Sequence, residues 1–274
     1  MIALLLLASL APGPAFVQLA PGADRAAQTA ATVREFDHGH TKLAALLARH
    51  VVDGRVRYAA LQKDAAALDA YLADLQAVTP EVMEQWSREQ RLAFWINAYN
   101  AYTLQLIVQH YPVKSIKDVG SLLTRVWDKE FIPLEAFHPK GKRTKLSLNH
   151  IEHDILRRDF HDSRIHAAIN CASESCPALR AEPYIAARLD AQLDEQVRLW
   201  LADESRNHFD PENGAIEISA IFDWFQADFT RDAGSVEAWI AIYAPEKIAA
   251  WLKDAKDVKV SYLDYSWKLN DAPN

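Results

Sequence analysis

The sequence has little glycine, only two cysteines and no apolar run long enough to span a membrane. Glycine makes up 8 of its 274 residues, about 3% against an average of roughly 7%, which argues against a glycine-rich β-barrel or propeller. Two cysteines cannot build a four-cysteine zinc site. A spanning helix needs about 20 apolar residues, so we expect no membrane span in the mature chain.

The chain also lacks an excess of positive charge. Its 30 Lys and Arg residues stand against 37 Asp and Glu, which gives a net charge of −7. Binding to a nucleic-acid backbone or to an anionic membrane depends on a basic face, so we expect neither as a partner. The hydrophobic content of 50% and charged content of 24% are typical of a globular protein.

Several catalytic and cofactor motifs are missing from the sequence. It has no dinucleotide-binding glycine fingerprint, no phosphate-binding loop and no GxSxG elbow. Nicotinamide-dependent enzymes, kinases and serine hydrolases therefore have no support, and we expect no cofactor.

The N-terminus carries a short apolar segment. Residues 1–11 are almost entirely aliphatic, and the first charged residue is Asp24. This length is typical of a secretory signal peptide, although no Lys or Arg precedes the run; an N-terminal core helix is the alternative. We expect a signal peptide over residues 1–20, a flexible lead-in over 21–40, and a periplasmic or secreted protein.

The rest of the sequence predicts a single α+β domain over residues 41–274, rich in helix and with a small, mostly antiparallel sheet. Helices are predicted over residues 41–51, 61–78, 79–86, 88–110, 115–123, 148–160, 186–201, 219–230, 235–243 and 245–255. Extended segments are predicted over residues 56–58, 127–137, 164–170, 215–218 and 258–263.

The helix predicted over residues 88–110 has two asparagines in its apolar middle. Asn97 and Asn100 are separated by one helical turn, and asparagine is unfavourable inside a helix. A buried amide must find hydrogen-bonding partners. These two either brace neighbouring loops, or one of them orients a catalytic histidine or a substrate.

A second polar group lies at the start of the helix predicted over residues 148–160. Ser147 or Asn149 can cap this helix, and Glu152 follows Asn149 by three residues, as in a capping box. His150 and His153 are one turn apart, but such a pair alone is a weak metal signal. We favour a catalytic or network role for His153 and expect no metal.

The strand predicted over residues 164–170 leads into a loop that holds both cysteines. Side chains of equal parity share one face of a strand, so His166 and Asn170 would point one way and Cys171 the other. A pair of Cys171 with His166 would therefore need a bend in the strand.

Cys176 precedes Pro177, a residue that suits the first position of a helical turn. At such an N-cap the helix dipole lowers the pKa of a thiol, which makes Cys176 a candidate nucleophile. In an oxidising compartment the two cysteines can instead form a Cys171–Cys176 disulfide. The residues leave both interpretations open.

Aromatic residues cluster on the helices predicted after residue 219. Trp224, Phe225, Phe229 and Trp239 are expected to be core packing rather than a ligand cage.

Several of these segments together resemble the family called domain of unknown function 547. The resemblance extends over roughly residues 50–270, and it implies that the family's polar positions fall on seven residues of this chain. The family's bacterial members resemble exported proteins. The similar segments are residues 56–58, 94–101, 146–148, 151–153, 164–166, 171–177, 221–225 and 264–270, and the seven positions are Asn97, Asn100, Glu152, His153, His166, Cys171 and Cys176.

Two functions remain open. In the first, the protein is a cysteine-dependent hydrolase or acyl transferase: Cys176 or Cys171 attacks a carbonyl, His153 or His166 acts as base, and Glu152 or Asn97 orients the imidazole. In the second, it is a non-catalytic envelope protein with a structural disulfide. Either function implies a small-molecule or peptide ligand, and we expect a monomer.

Overall fold

A computed structural model describes residues 35–121, 124–138, 144–255 and 257–273 of the chain. The predicted signal peptide and most of the predicted lead-in lie outside the described residues. Within them, no helix has the length and apolar character that crossing a membrane requires.

The described residues form eleven α-helices, one π-helix, several 3₁₀ turns and five strands. The helices are α1 (Thr41–His50), α2 (Tyr58–Lys63), α3 (Ala65–Gln76), α4 (Pro80–Met83), α5 (Arg88–His110), the π-helix (His150–Phe160), α6 (Ile165–Ala168), α7 (Leu189–Ala202), α8 (Ile221–Trp224), α9 (Gln226–Ala233), α10 (Val236–Tyr243) and α11 (Glu246–Asp254). The strands are β1 (Val51–Val52), β2 (Arg55–Val56), β3 (Asn207–Asp210), β4 (Ala215–Ile218) and β5 (Lys259–Tyr262). The 3₁₀ turns are Ile116–Val119, Val126–Asp128, Glu135–Phe137 and Ala186–Arg188.

Helix α5 is the central element of the fold. Ser87 caps it through a capping box with Gln90, which satisfies two of the backbone N–H groups that a helix start leaves free. The helix is buried along most of its 23 residues, about 35 Å at 1.5 Å per residue. It packs against α2, α3 and the π-helix, so the two asparagines in its middle lie inside the protein.

The strands form two small sheets. β1 and β2 pair antiparallel across Asp53 and Gly54, which both have positive φ, as a type I′ turn requires. In the second sheet, β4 pairs antiparallel with β3 and parallel with β5. The α+β class and the small, mostly antiparallel sheet are confirmed.

Two apolar clusters make up the core, and α6 lies where they meet. The larger cluster surrounds α5 and includes Ile165 and Ala168. The second gathers side chains of α7 to α10 and includes Ala167, with Trp200 and Phe222 stacked at 4.6 Å. Neighbouring residues of one short helix therefore face different clusters.

The strand predicted over residues 164–170 is wrong, because the structure has the short helix α6 there. A short, fully buried apolar run has no periodicity that separates strand from helix. The Asp162 carboxylate accepts from the backbone N–H of Arg164 at 3.1 Å, which starts the turn. Because these residues form no strand, the alternation of side chains along a strand does not separate His166 from Cys171.

Other boundaries differ in smaller ways. The helix predicted over residues 61–78 is two helices, α2 and α3, that meet at Asp64. The segment predicted to be extended over 127–137 has a 3₁₀ turn at each end and one bridge, from Ile132 to Leu146, between them. Strand β3 was not predicted, because its sequence Asn-His-Phe-Asp is polar for a strand.

Candidate functional site

A cavity of about 640 Å³ lies beside the π-helix. Its wall contains five of the seven sequence-predicted site residues: Glu152, His153, His166, Cys171 and Cys176. The structure therefore brings these side chains to one place, although they are spread over 25 positions of the sequence.

Asn97 and Asn100 are buried but do not line the cavity. The Asn97 amide donates to the Tyr184 carbonyl at 2.7 Å and accepts from the Tyr184 backbone N–H at 3.0 Å. The Asn100 amide donates to the Ala168 carbonyl at 3.0 Å and accepts from the Asn170 N–H at 2.8 Å. Both side chains form hydrogen bonds with backbone groups of other segments, and Asn100 fixes the junction between α6 and the cysteine loop.

The cysteine loop, residues 170–177, is closed by the side chain of Asn170. Its amide donates to the Pro177 carbonyl and accepts from the Ala172 N–H, both at 2.8 Å. Ala172 has φ of 61°, a left-handed conformation that costs an L-residue about 1 kcal/mol or more. Such strain is often found at functional sites, and here it directly follows Cys171.

The Cys171 thiol is surrounded by side chains that can donate to it, and two of them, the Ser173 and Tyr265 hydroxyls, also bond to each other at 2.8 Å. Its sulfur lies 3.1 Å from the Ser173 hydroxyl and 3.3 Å from both the Tyr265 hydroxyl and the Cys176 sulfur. These donors favour the thiolate. Hydrogen bonding, first from Cys176, outweighs burial and lowers the pKa of Cys171 to about 6.

The prediction that Cys176 is the low-pKa thiol is wrong. No helix begins at Pro177, so no helix dipole acts on Cys176. Its side chain is buried, and burial, then the donation of its S–H to Cys171, raises the pKa of Cys176 well above its ordinary value. Cys171 is the thiol whose anion the site stabilises.

Both cysteines are free thiols in this structure. Their sulfurs are 3.3 Å apart, whereas a disulfide bond is about 2.05 Å long.

Glu152 is not part of a capping box, contrary to the sequence expectation. It is buried and accepts from the Tyr99 hydroxyl at 3.4 Å, while the Asn149 amide bonds to Asp128. Burial, then the negative charge of Cys171, raises the pKa of Glu152 to about 7. A carboxyl with that pKa exchanges protons readily near neutral pH.

The ring of His153 is held by Arg157. The guanidinium donates to His153 Nδ1 at 2.9 Å, and since arginine only donates, Nδ1 has no proton. In the neutral ring the proton is therefore on Nε2. Burial, then the charge of Arg157, lowers the pKa of His153, so the ring is a donor rather than a cation.

His166 belongs to a buried ion cluster that the sequence did not reveal. Its Nε2 lies 2.8 Å from the Asp228 carboxylate, which also accepts from Arg157 at 2.6 Å. Burial opposes the charge of Asp228, but these bonds outweigh it and hold its pKa well below its usual range. Burial lowers the pKa of His166, and its ring stacks on Phe225 at 4.0 Å.

No direct bond joins a histidine to the cysteine thiol. Among the described residues, Cys171 bonds to Cys176, Ser173 and Tyr265, whereas His153 and His166 bond to other partners. The predicted cysteine and histidine residues therefore line one cavity, but no hydrogen bond joins them.

One wall of the cavity is aromatic. Trp224 stacks on Trp267 at 5.7 Å, and Trp127 meets Trp267 edge-on at 5.0 Å. Phe229 and Trp239 are buried core residues as expected, but the expectation for Trp224 is wrong, since 46% of its surface is exposed and it lines the cavity.

Glu130, His138 and His150 are the one group of three metal-ligand residues among the described parts of the chain. Their ligand atoms lie within 4.8 Å of one another. His150 faces this group and His153 faces Arg157, so the two do not share a ligand position.

Sequence reasoning missed three residues that shape the site. Ser173 and Tyr265 bond to the Cys171 sulfur, and Asp228 anchors His166. Tyr265 lies in a segment that carries the family resemblance, which was its only signal. Asp228 had none, because a single acid on a polar helix is ordinary.

Comparison with protein families gives one match. Residues 83–201 match the family described as "Protein of unknown function, DUF547". The chain is similar to that family over this stretch. All seven predicted site residues fall within it, although the match is shorter than the resemblance over residues 50–270. Comparison with curated proteins and with solved structures yields no significant match.

Proposed function

We propose that this protein is a cysteine-dependent hydrolase or acyl transferase with Cys171 as its nucleophile. The observation that carries the proposal is the environment of the Cys171 sulfur, which lines a cavity and lies within 3.3 Å of three side chains that can donate to it. Donors that stabilise a thiolate give a cysteine the low pKa that nucleophilic catalysis needs.

The chemistry follows from the groups around the cavity. The Cys171 thiolate attacks the carbonyl carbon of an ester or amide, and the carbonyl π electrons move onto the oxygen. When the tetrahedral intermediate collapses, the bond to the leaving group breaks and protonated Glu152 supplies the leaving group's proton. Water or another acceptor then attacks the thioester carbon and gives a proton to Glu152. The C–S bond breaks, and Cys171 leaves as the thiolate with which the cycle began.

The remaining polar residues have positioning roles in this proposal. The bonds from His166 to Asp228 and from Asp228 to Arg157 hold the guanidinium that orients His153. An Nε2–H of His153 directed at the developing oxyanion would stabilise it. Asn97 and Asn100 hold the backbone on which these groups stand.

The first experiment is acylation by p-nitrophenyl acetate, followed through p-nitrophenol release and peptide mass spectrometry. The full chain is purified without reductant, and Cys171→Ala is compared with Cys176→Ala as the matched control. We expect a burst of one equivalent with the acetyl group on Cys171. The burst should be absent in Cys171→Ala and present, though slower, in Cys176→Ala, which loses one donor to the sulfur.

The alternative is the non-catalytic binding protein with a Cys171–Cys176 disulfide. It predicts that both cysteines resist acylation and alkylation until reductant is added, and that no burst follows reduction. A burst in both single-cysteine variants would also overturn the assignment of Cys171.

We further propose that the protein acts in the periplasm or outside the cell. The support is the apolar segment over residues 1–11, followed by Pro12, Gly13 and Pro14. Cell fractionation with N-terminal sequencing tests this: we expect a chain that begins near residue 21 in the exported fraction. An intact N-terminus in the cytosol would contradict it.

A further inference from the structure

Two exposed cations line the cavity, Lys117 and Arg125. Neither forms an ion pair with any described residue, although Lys117 lies over the Trp267 ring at 3.8 Å. Arginines elsewhere in the described chain commonly have carboxylate partners. Such paired arginines include Arg157, Arg164, Arg180, Arg206 and Arg231.

Two groups in the cavity wall can carry negative charge, the Cys171 thiolate and Glu152. Glu152 is the one carboxylic acid among the described residues of the wall, and its pKa of about 7 keeps it partly neutral. Asp118 and Asp128 do not line the cavity; Asp118 accepts from the backbone at Ser115, and Asp128 accepts from the Asn149 amide. The two cations of the wall therefore favour an anion beside them, although the chain has a net charge of −7.

The aromatic wall adds a second preference. Trp127, Trp224 and Trp267 line the cavity, Trp267 contacts each of the other two, and Trp224 is nearly half exposed. Indole faces bind flat or apolar groups, and a large exposed aromatic patch is typical of a ligand surface. Lys117 borders this wall, so an apolar group and an anionic group can be bound side by side.

We infer that the acyl substrate carries a carboxylate or similar anion close to its reactive carbonyl, together with a flat apolar group. Lys117 and Arg125 bind the anion, and the three tryptophans bind the apolar group. This inference rests on the proposed function, because it assumes that the substrate reacts at Cys171.

Two alkylating agents of opposite character test the anion preference without the natural substrate. Iodoacetate is an anion and iodoacetamide is neutral, and both transfer a carbon to the thiolate with loss of iodide. The rate with iodoacetate is divided by the rate with iodoacetamide at Cys171, and the result is divided by the same ratio for glutathione. This normalised ratio measures the preference of the cavity for an anion. We expect this normalised ratio to exceed one and to fall as salt is added.

The variants Lys117→Gln and Arg125→Gln should each lower the ratio by roughly three- to tenfold, the effect of one charge at several ångströms in a partly aqueous site. Lys114→Gln and Lys129→Gln are the matched controls, since they remove a lysine close in sequence that does not line the cavity. A normalised ratio at or below one, or equal losses in the controls, would overturn the anion preference.

The apolar preference is tested with N-benzyl iodoacetamide against iodoacetamide. Trp224→Ala should lower the relative rate of the benzyl reagent several-fold. Ile242→Ala removes another exposed apolar side chain, 57% exposed, and should leave it unchanged. Equal behaviour of the two variants would contradict a binding role for the tryptophan wall.

The proposed function and the anion preference would be overturned by different results. If Cys171 forms no acyl adduct, the proposed function fails whatever the alkylation ratios are. If Cys171 is acylated but the normalised ratio is at or below one, the proposed function stands and the anion preference is wrong.

Discussion

The sulfur of Cys176 lies 3.3 Å from that of Cys171, and its S–H donates to Cys171 when Cys171 is a thiolate. The two thiols are therefore unequal. Donation from Cys176 lowers the pKa of Cys171 to about 6, whereas burial raises the pKa of Cys176. In the proposed function, a pair that resembles a disulfide in the sequence acts as one nucleophile and its donor.

Tyr265→Phe should weaken the Cys171 thiolate. The tyrosine hydroxyl is 3.3 Å from the sulfur, and a hydrogen bond to a charged group contributes about 1.5–3 kcal/mol. We expect the pKa of Cys171 to rise by about one unit, measured as iodoacetamide labelling against pH with peptide mass spectrometry. Tyr262→Phe, on the exposed strand β5, is the control, and an equal shift there would count against a direct role for Tyr265.

Glu152→Gln should change how stability depends on pH. The pKa of Glu152 is about 7 in the folded protein, against an ordinary value of 4.5 for glutamate, so the folded state binds more protons between those pH values. Stability from this group is therefore greatest below pH 4.5 and falls as pH rises to about 7, by about 3 kcal/mol.

Gln cannot ionise, so the variant should lack this fall. Urea unfolding at several pH values, with the exposed Glu84→Gln as control, measures the difference. Parallel curves for the wild type and Glu152→Gln would show that Glu152 titrates normally.

Asn100→Ala should destabilise the protein by about 3 kcal/mol. It leaves the Ala168 carbonyl and the Asn170 N–H without the partner they now have, and an unsatisfied buried group costs about 1–3 kcal/mol. Gln105→Ala lies on the same helix but bonds to Asp69 at the surface, and it should cost under about 1 kcal/mol. Chemical denaturation compares them, and similar losses would mean that Asn100 does not hold the loop.

Gly54→Ala should cost more than Gly234→Ala, although both glycines have positive φ. A methyl group at Gly54 would overlap the side chain of Ala178, whereas nothing lies within 4 Å at Gly234. We expect about 1 kcal/mol for Gly234→Ala from backbone strain alone, and about 3 kcal/mol for Gly54→Ala from strain and overlap together. Equal losses of unfolding free energy would show that the hairpin can move away from the segment after Pro177.

The sequence by itself determined the elements with strong local signals. Helix α5 begins and ends where predicted, because Ser87 starts a 23-residue helix that Pro112 prevents from continuing. The burial of Asn97 and Asn100 followed from the apolar residues around them. The DUF547 resemblance marked Glu152, His153, His166 and both cysteines, five residues that line the cavity.

Only the tertiary structure decided which group does what. The environment of Cys171 depends on Tyr265, 94 residues along the chain, and that of His166 depends on Asp228, 62 residues along. Short buried segments such as α6 lack a periodicity that would reveal their conformation. A pKa depends on burial and on distances of a few ångströms, which are set only when remote segments pack. The sequence therefore named the candidate groups, and the fold distinguishes Cys171 among them as the thiol whose pKa is lowered.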